Sequence, residues 1–366
     1  MEIKAAIARA PSKLSIETVQ IEDPRPDEVL VRMVATGLCH TDVSALEGIL
    51  PMEMPMVLGH EGAGIVEKVG ANVTHVKPGD PVAMSYNYCD HCPSCDQGKH
   101  TYCHDFLPLN FSGLQREDGT SPIAKDGEKI NAFFFGQSSF GTYAMCTGKN
   151  IVKVPDDVPL EILGPLGCGI QTGAGAVINS LGVKTGDVFT VFGAGTVGLS
   201  AVMGAKVAGA KTIIAVDLSD DRLATARELG ATHTINGGAA DLVEQIMKIT
   251  GHGTQYALDT TGNQMIMETA LAVTAPLGTC AYLAGVHPDM RIPVDPTFMM
   301  QGRKLIGIIE GDSHDAGAFI NQMIDWYKAG KFPFDKMIRF YDFEDLETAI
   351  HDSHTGETIK PIVKFG

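Results

Sequence analysis

The chain is short of basic residues: 28 Lys and Arg stand against 44 Asp and Glu in 366 residues, a formal charge of −16. Nucleic-acid affinity comes mostly from neutralising phosphates with Lys and Arg, so this balance argues against a nucleic-acid partner. It argues equally against an anionic membrane surface. Cysteine is too sparse, at eight residues, to staple the fold with disulfides. No apolar signal core follows the opening Met1-Glu2-Ile3-Lys4. Two uncharged runs, residues 162–183 and 188–205, reach the length of a membrane span. Gly164, Pro165, Gly167 and Gly169 interrupt the first, and Gly193, Gly195, Gly198 and Gly204 the second. Buried strands and packed helices joined by glycine turns account for both. What remains is a soluble-protein composition, 44% hydrophobic and 20% charged, with length for about two domains.

The first ~165 residues alternate short apolar runs with Gly and Pro, and read as a β-rich meander with strands near 29–35, 64–69 and 152–154. From about Gly169 strands alternate with helices. Strands are expected at 188–192, 212–216, 232–235, 256–258, 279–283 and 305–309, with helices at 196–208, 221–229, 241–249 and 265–273 between them. That rhythm implies parallel crossovers in a doubly wound sheet. A further helix is expected at 317–329, and a strand at 359–365 that returns to the first domain.

Gly193-Ala194-Gly195-Thr196-Val197-Gly198 has the form GxGxxG, follows an apolar strand and opens a helix. Asp217 ends the next strand, 22 positions beyond Gly195. In that context Gly193 permits the tight turn, Gly195 lets a pyrophosphate approach the backbone, and Gly198 lets helix and strand pack closely. The phosphates would sit at the helix N-terminus. Asp217 would accept hydrogen bonds from the adenosine ribose and repel a 2′-phosphate, which favours NAD over NADP.

The cysteines are bunched. Cys89, Cys92, Cys95 and Cys103 lie within fifteen residues. Four thiolates in one loop suit a closed, structural zinc site in a reducing compartment, with an iron–sulfur cluster and disulfides as rival readings. Three further polar knots each interrupt apolar runs: Gly37-Leu38-Cys39-His40-Thr41-Asp42, Gly59-His60-Glu61-Gly62-Ala63-Gly64 and Gly164-Pro165-Leu166-Gly167-Cys168-Gly169. Cys39, His60 and Cys168 together offer the two-Cys, one-His set of a catalytic zinc with an open fourth position. Taken singly, each reads more readily as a buried core residue than as a ligand.

In this order the motifs resemble the zinc-dependent medium-chain alcohol dehydrogenases over essentially the whole chain. Within that family the likeness is to aryl-alcohol (benzyl alcohol) dehydrogenases. It is carried by Ala35-Thr36-Gly37-Leu38-Cys39-His40-Thr41-Asp42, Phe134-Phe135-Gly136-Gln137-Ser138-Ser139-Phe140 and residues 164–173. The resemblance implies an α/β protein. A GroES-like β-rich catalytic domain (1–169 and 310–366, zinc lobe about 89–103) would enclose a Rossmann NAD-binding domain (170–309). It implies two zinc ions per chain and NAD, with oxidation of a primary alcohol to an aldehyde by hydride transfer.

The resemblance also implies individual roles. Cys39, His60 and Cys168 are the catalytic zinc ligands. Asp42 orients the ligating imidazole, and Glu61 stands behind the zinc. Thr41 takes the alcohol proton. His40 and Lys360 lie near the pyrophosphate, Arg222 at the adenosine ribose, and Thr172 and Val197 against the nicotinamide. One position departs from the pattern: Ser44 stands where many members have the histidine that ends the proton relay. The onward step is left between the cofactor ribose, water and His40.

Leu46, Met52, Met54, Phe133–Phe135 and Phe140 suggest an apolar, aromatic-lined pocket for a benzylic alcohol. An allylic terpenoid alcohol such as geraniol or perillyl alcohol is the alternative, and for the Phe run so is plain core packing. A noncatalytic NAD- and zinc-binding protein would have no need of Cys39, His60, Cys168 and Thr41 together. A cytoplasmic homodimer joined through edge strands of the Rossmann sheet is expected.

Overall fold

The computed structural model describes residues 1–366 except 113–115, 117 and 286–288. The chain divides into two compact units: residues 1–168, 314–328 and 335–366 form one, and 169–313 with 329–334 the other. These junctions lie one residue before and four after the expected ones. The segment 329–334, expected in the first domain, belongs to the second; its Phe332 and Phe334 are fully buried.

The first unit begins with a hairpin of β1 (Glu2–Ala10) and β2 (Lys13–Ile21). Then come β3 (Glu28–Gly37), α1 (His40–Leu46), β4 (Met56–Val57), β5 (Glu61–Val69) and β6 (Pro81–Met84). Beyond the cysteine-rich loop lie β7 (Ile123–Lys125), β8 (Glu128–Ile130), β9 (Tyr143–Thr147) and β10 (Ile151–Lys153). One sheet has the order β4-β1-β2-β7-β8. The other runs β10-β6-β5-β3, with β9 also paired to β3. The β3–β5 register matters most for the site. Gly37 stands opposite Glu61, so the Cys39 knot and the His60 knot leave the same end of one strand pair.

The second unit opens with α2 (Gly169–Gly175), then alternates β11 (Val188–Phe192), α3 (Thr196–Ala208), β12 (Thr212–Asp217), α4 (Asp220–Leu229), β13 (His233–Asn236), α5 (Leu242–Thr250), β14 (Thr254–Asp259), α6 (Gln264–Ala272) and β15 (Thr274–Tyr282). A short α7 (Pro296–Met299) and β16 (Lys304–Gly307) complete it. All six strands are parallel, in the order β13-β12-β11-β14-β15-β16. This is the doubly wound order whose ligand crevice lies at the carboxyl ends of the central strands. Glycine stops α3 and α4: Gly209 at φ +84° and Gly230 at +134° leave the helical region. Ser219 caps α4, accepting a hydrogen bond from the Arg222 N–H. β15 begins five residues before the expected start, because Thr274 pairs with Thr254 across a register shift that the Pro276-Leu277-Gly278 stretch absorbs.

The chain then supplies α8 (Ala316–Lys328), β17 (Ile338–Asp342), α9 (Leu346–Thr355) and β18 (Lys360–Lys364). β18 pairs antiparallel with β3, placing Ile362 opposite Gly37. The last strand of the chain therefore joins the same strand end as the first two knots. Among the described residues no helix is long and apolar enough to cross a membrane.

Candidate active site and cofactor-binding residues

Cys39, His60, Glu61 and Cys168 each bring a ligand atom to within 4.8 Å of the others. Asp42, on the first turn of α1, organises this group. One of its oxygens accepts hydrogen bonds from the Gly59 N–H at 3.0 Å and meets His60 Nδ1 at 2.9 Å; the other accepts from the Cys39 N–H at 3.0 Å. Asp42 and His60 are both buried. With Nδ1 engaged, Nε2 is left facing the thiols, buried and without a hydrogen-bond partner. A buried nitrogen in that state is costly unless something binds it. Together with two thiol donors it fits a zinc ion and makes three donors, one short of the four that zinc usually takes.

Cys168 reaches the group through close backbone contact. A Cβ on Gly167 would stand 1.7 Å from the Met84 carbonyl oxygen, so only glycine lets that turn lie on β6. The Gly167 carbonyl accepts the Ser85 hydroxyl at 2.8 Å. The Cys39 thiol is held well below its ordinary pKa, first by the hydrogen bond from Cys168 and then by His60 and Lys360. Thr41 Oγ1 lies 3.6 Å from Cys39 Sγ, and His40 beside it is exposed.

Lys360 is placed otherwise than expected. It is 2% exposed, and its Nζ donates to both Glu61 oxygens, at 2.8 and 3.0 Å, and to the Leu38 carbonyl at 2.9 Å. Three ammonium hydrogens and three acceptors match, so Glu61 and the Leu38 carbonyl engage the whole ammonium. Burial opposes its charge, but Glu61 and Cys39 outweigh that and raise its pKa. Burial pushes the Glu61 carboxyl up against the pull of the ammonium.

The other cysteine group is Cys89, Cys92, Cys95 and Cys103, all within 4.8 Å of one another and none in a disulfide. Backbone N–H groups point at the sulfurs: His104 to Cys92 at 3.4 Å and Cys89 to Cys103 at 3.3 Å. The His104 N–H contact holds the Cys92 thiol down at about 6, whereas burial lifts Cys95 to about 12. Four thiols aimed at one point, with N–H donors behind them, fit a closed zinc site.

In the second unit Gly193 has φ +95°, and Gly195 is the N-cap of α3. A Cβ on Gly198 would lie 1.8 Å from the Gly193 carbonyl oxygen, while one on Gly195 would meet no protein atom within 4 Å. Gly198 thus serves helix–strand packing and Gly195 leaves open space, which fits a dinucleotide pyrophosphate. Asp217, at the end of β12, is turned toward this loop by the Ala194 N–H at 2.6 Å and the Ser219 N–H at 2.9 Å. Arg222 and Val197 are half-buried on the first turns of α4 and α3. Thr172 lies on α2, its hydroxyl 3.5 Å from Glu310.

The phenylalanines expected around a pocket are deeply buried: Phe134 is 0%, Phe140 1% and Phe135 4% exposed. The Phe135 ring stacks on His60, 4.4 Å between centroids and 20° between planes, and Phe134 meets the same imidazole edge-on at 5.3 Å. Leu46, Met52 and Met54 join the same apolar cluster. Composition left the Lys360–Glu61 pair and the grip of Gln137 on the His60 backbone unseen. The Phe134–Phe140 motif was the one signal for the latter.

Residues 25–156 match the alcohol dehydrogenase GroES-like domain and residues 196–328 the zinc-binding dehydrogenase domain. The chain is 45% identical over 363 residues to a geraniol dehydrogenase of Castellaniella defragrans, covering 99% of this chain and 97% of that one. Its fold is similar to that of an alcohol dehydrogenase zinc-binding domain protein from Burkholderia ambifaria (TM-score 0.98, 47% identity, 100% and 99% of the two chains). It is also similar to the benzyl alcohol dehydrogenase of Acinetobacter calcoaceticus (TM-score 0.96, 42% identity, 100% of both chains). The chain belongs to the zinc-dependent medium-chain alcohol dehydrogenases. Zinc and NAD are its cofactors.

Proposed function

We propose that the protein oxidises primary alcohols bearing an aromatic ring next to the carbinol carbon, benzyl alcohol in type, to aldehydes. The observation that carries this reading is the Cys39–His60–Cys168 donor set, with His60 and Cys168 buried, beside the Phe111, Phe134 and Phe135 rings. When bound, zinc would supply Lewis acidity toward the alcohol oxygen and NAD would supply the hydride acceptor. The chain's own residues do the rest. Cys39, His60 and Cys168 hold the metal, and Asp42 fixes the imidazole so that Nε2 faces it. Thr41 Oγ1 takes the alcohol proton, and exposed His40 passes it to solvent where Ser44 offers no base. Glu61, charge-balanced by Lys360, sets the field behind the metal. Cys89, Cys92, Cys95 and Cys103 hold a second, structural zinc.

In the second unit Gly193, Gly195 and Gly198 receive the pyrophosphate. Asp217 and Arg222 take the adenosine ribose, and Thr172 and Val197 pack the nicotinamide. Asp217 favours NAD over NADP. Similarity to a geraniol dehydrogenase supports a second reading, an allylic terpenoid alcohol. Both substrate types place sp² carbon beside the carbinol, which suits apolar, aromatic walls.

We also propose a cytoplasmic homodimer. β16 is a sheet edge, and Leu277 (81% exposed) and Met300 (84%) stand near it. A monomer in light scattering would refute the dimer.

The deciding experiment combines metal analysis with kcat/KM for benzyl, cinnamyl, geranyl and short aliphatic alcohols, each with NAD and NADP. Two zincs per chain and a benzylic preference are expected. Geraniol as the best substrate would select the second reading, and ethanol as the best would overturn both.

A further inference from the structure

Residues 134–140 do something that a pocket wall would not require. Ser139 N–H donates to the Gly59 carbonyl at 2.9 Å, and Phe140 N–H to the Leu58 carbonyl at 3.0 Å. The Ser138 hydroxyl donates to the Val57 carbonyl at 2.6 Å. The buried Gln137 amide spans the knot itself, donating to the His60 carbonyl at 2.9 Å and accepting from the Gly62 N–H at 3.1 Å. Every residue from 57 to 60 is thus gripped through its backbone or side chain, with Phe135 laid flat on the imidazole.

That grip is held in a strained backbone. Phe135 has φ +52°, Gly136 +66° and Ser138 +48°. The left-handed region is a genuine outlier for a bulky aromatic residue, and such outliers persist only where the surroundings over-determine them. Asn150 supplies part of that restraint by donating to the Phe135 carbonyl at 3.0 Å, and the Phe111 ring meets Phe135 edge-on at 4.8 Å. Asp42 fixes the edge of the imidazole through Nδ1, but one contact at an edge leaves the ring free to tilt about it. A stacked ring removes that freedom.

We propose that residues 135–140 form a clamp on the His60 knot, and that Phe135 is a positioning residue that fixes the imidazole plane for the metal. This rests on the reading that Cys39, His60 and Cys168 hold the catalytic zinc. Groups that orient a ligating histidine are worth about 10–100-fold in metal affinity or activity when removed.

The test follows zinc release to a chelator from wild type, Phe135→Ala, Phe135→Leu and Phe135→Tyr, alongside KM for benzyl alcohol. Cys39→Ala, which leaves the four-cysteine lobe intact, supplies the lobe's own release rate. Phe135→Ala is expected to lose one of two zincs at least about tenfold faster than wild type, with the lobe zinc leaving at its usual rate. Phe135→Tyr keeps the stack and restores retention. Should the alanine variant not fold, Phe135→Leu carries the same expectation at smaller size. Unchanged zinc release with a raised KM overturns the clamp and leaves Phe135 a pocket-wall residue. A wild-type protein holding a single zinc overturns the catalytic-metal reading itself.

Discussion

Lys360 and Glu61 are a buried ion pair, 2% and 0% exposed in their side chains. Removing one partner of such a pair leaves the other uncompensated, a loss of about 3–5 kcal/mol. Lys360→Met is therefore expected to lower stability by that order in denaturant unfolding. The double variant Lys360→Met/Glu61→Gln should recover much of it, since no lone charge remains. If the double variant is no more stable than the single, the charge pairing is not the source. Asp42 works at the same scale through three bonds. Asp42→Ala should lower catalytic zinc affinity about 10–100-fold, read by metal competition, and leave the lobe zinc in place.

The strand–turn–helix element β11–α3 separates two glycine functions that look identical in a motif. Gly195→Ala adds a Cβ into space that the protein leaves open. It should keep the wild-type melting temperature while weakening NADH binding. Gly198→Ala drives a Cβ to 1.8 Å from the Gly193 carbonyl oxygen. It should lower both melting temperature and NADH affinity, because α3 must move off β11. Fluorescence titration with NADH and thermal unfolding read the two quantities. A Gly195→Ala protein that binds NADH normally would remove that glycine from the cofactor site.

Across the first unit, Glu17 ties sheet strands together. It accepts from Arg9 on β1 at 2.8 and 2.9 Å and from Lys125 on β7 at 2.7 Å. Its side chain is 14% exposed, and these partners, Arg9 first, hold its carboxyl far below the usual range. The folded pKa lies below the unfolded value of about 4.3, so the stabilisation is fully present above that pH. It is lost as pH falls below it toward the folded pKa. Glu17→Gln should therefore be less stable than wild type at pH 7. The gap should close on acidification below about pH 4. A gap that stays constant down to pH 3 would show that the charge contributes nothing.

Much of this protein was legible from order and spacing. Cys89 to Cys103 are close in sequence, so four thiols in one loop have little choice but to meet. The Gly193–Gly198 turn and Asp217 are joined by one helix and one strand, and α3 has the expected bounds, 196–208. Local periodicity and glycine placement settle such short-range features. The expected roles of Cys39, His60 and Cys168 came through family likeness, because no spacing rule links residues so far apart. Only the tertiary structure brings them together, through the β3–β5 register and the approach of Gly167 to β6. It also decided that Lys360, delivered by β18 beside β3, neutralises Glu61, and that the Phe134–Phe140 motif grips His60. Sequence records which groups a chain carries. Long-range pairing decides which of them face each other in the dry interior, where charge and hydrogen bonding count most.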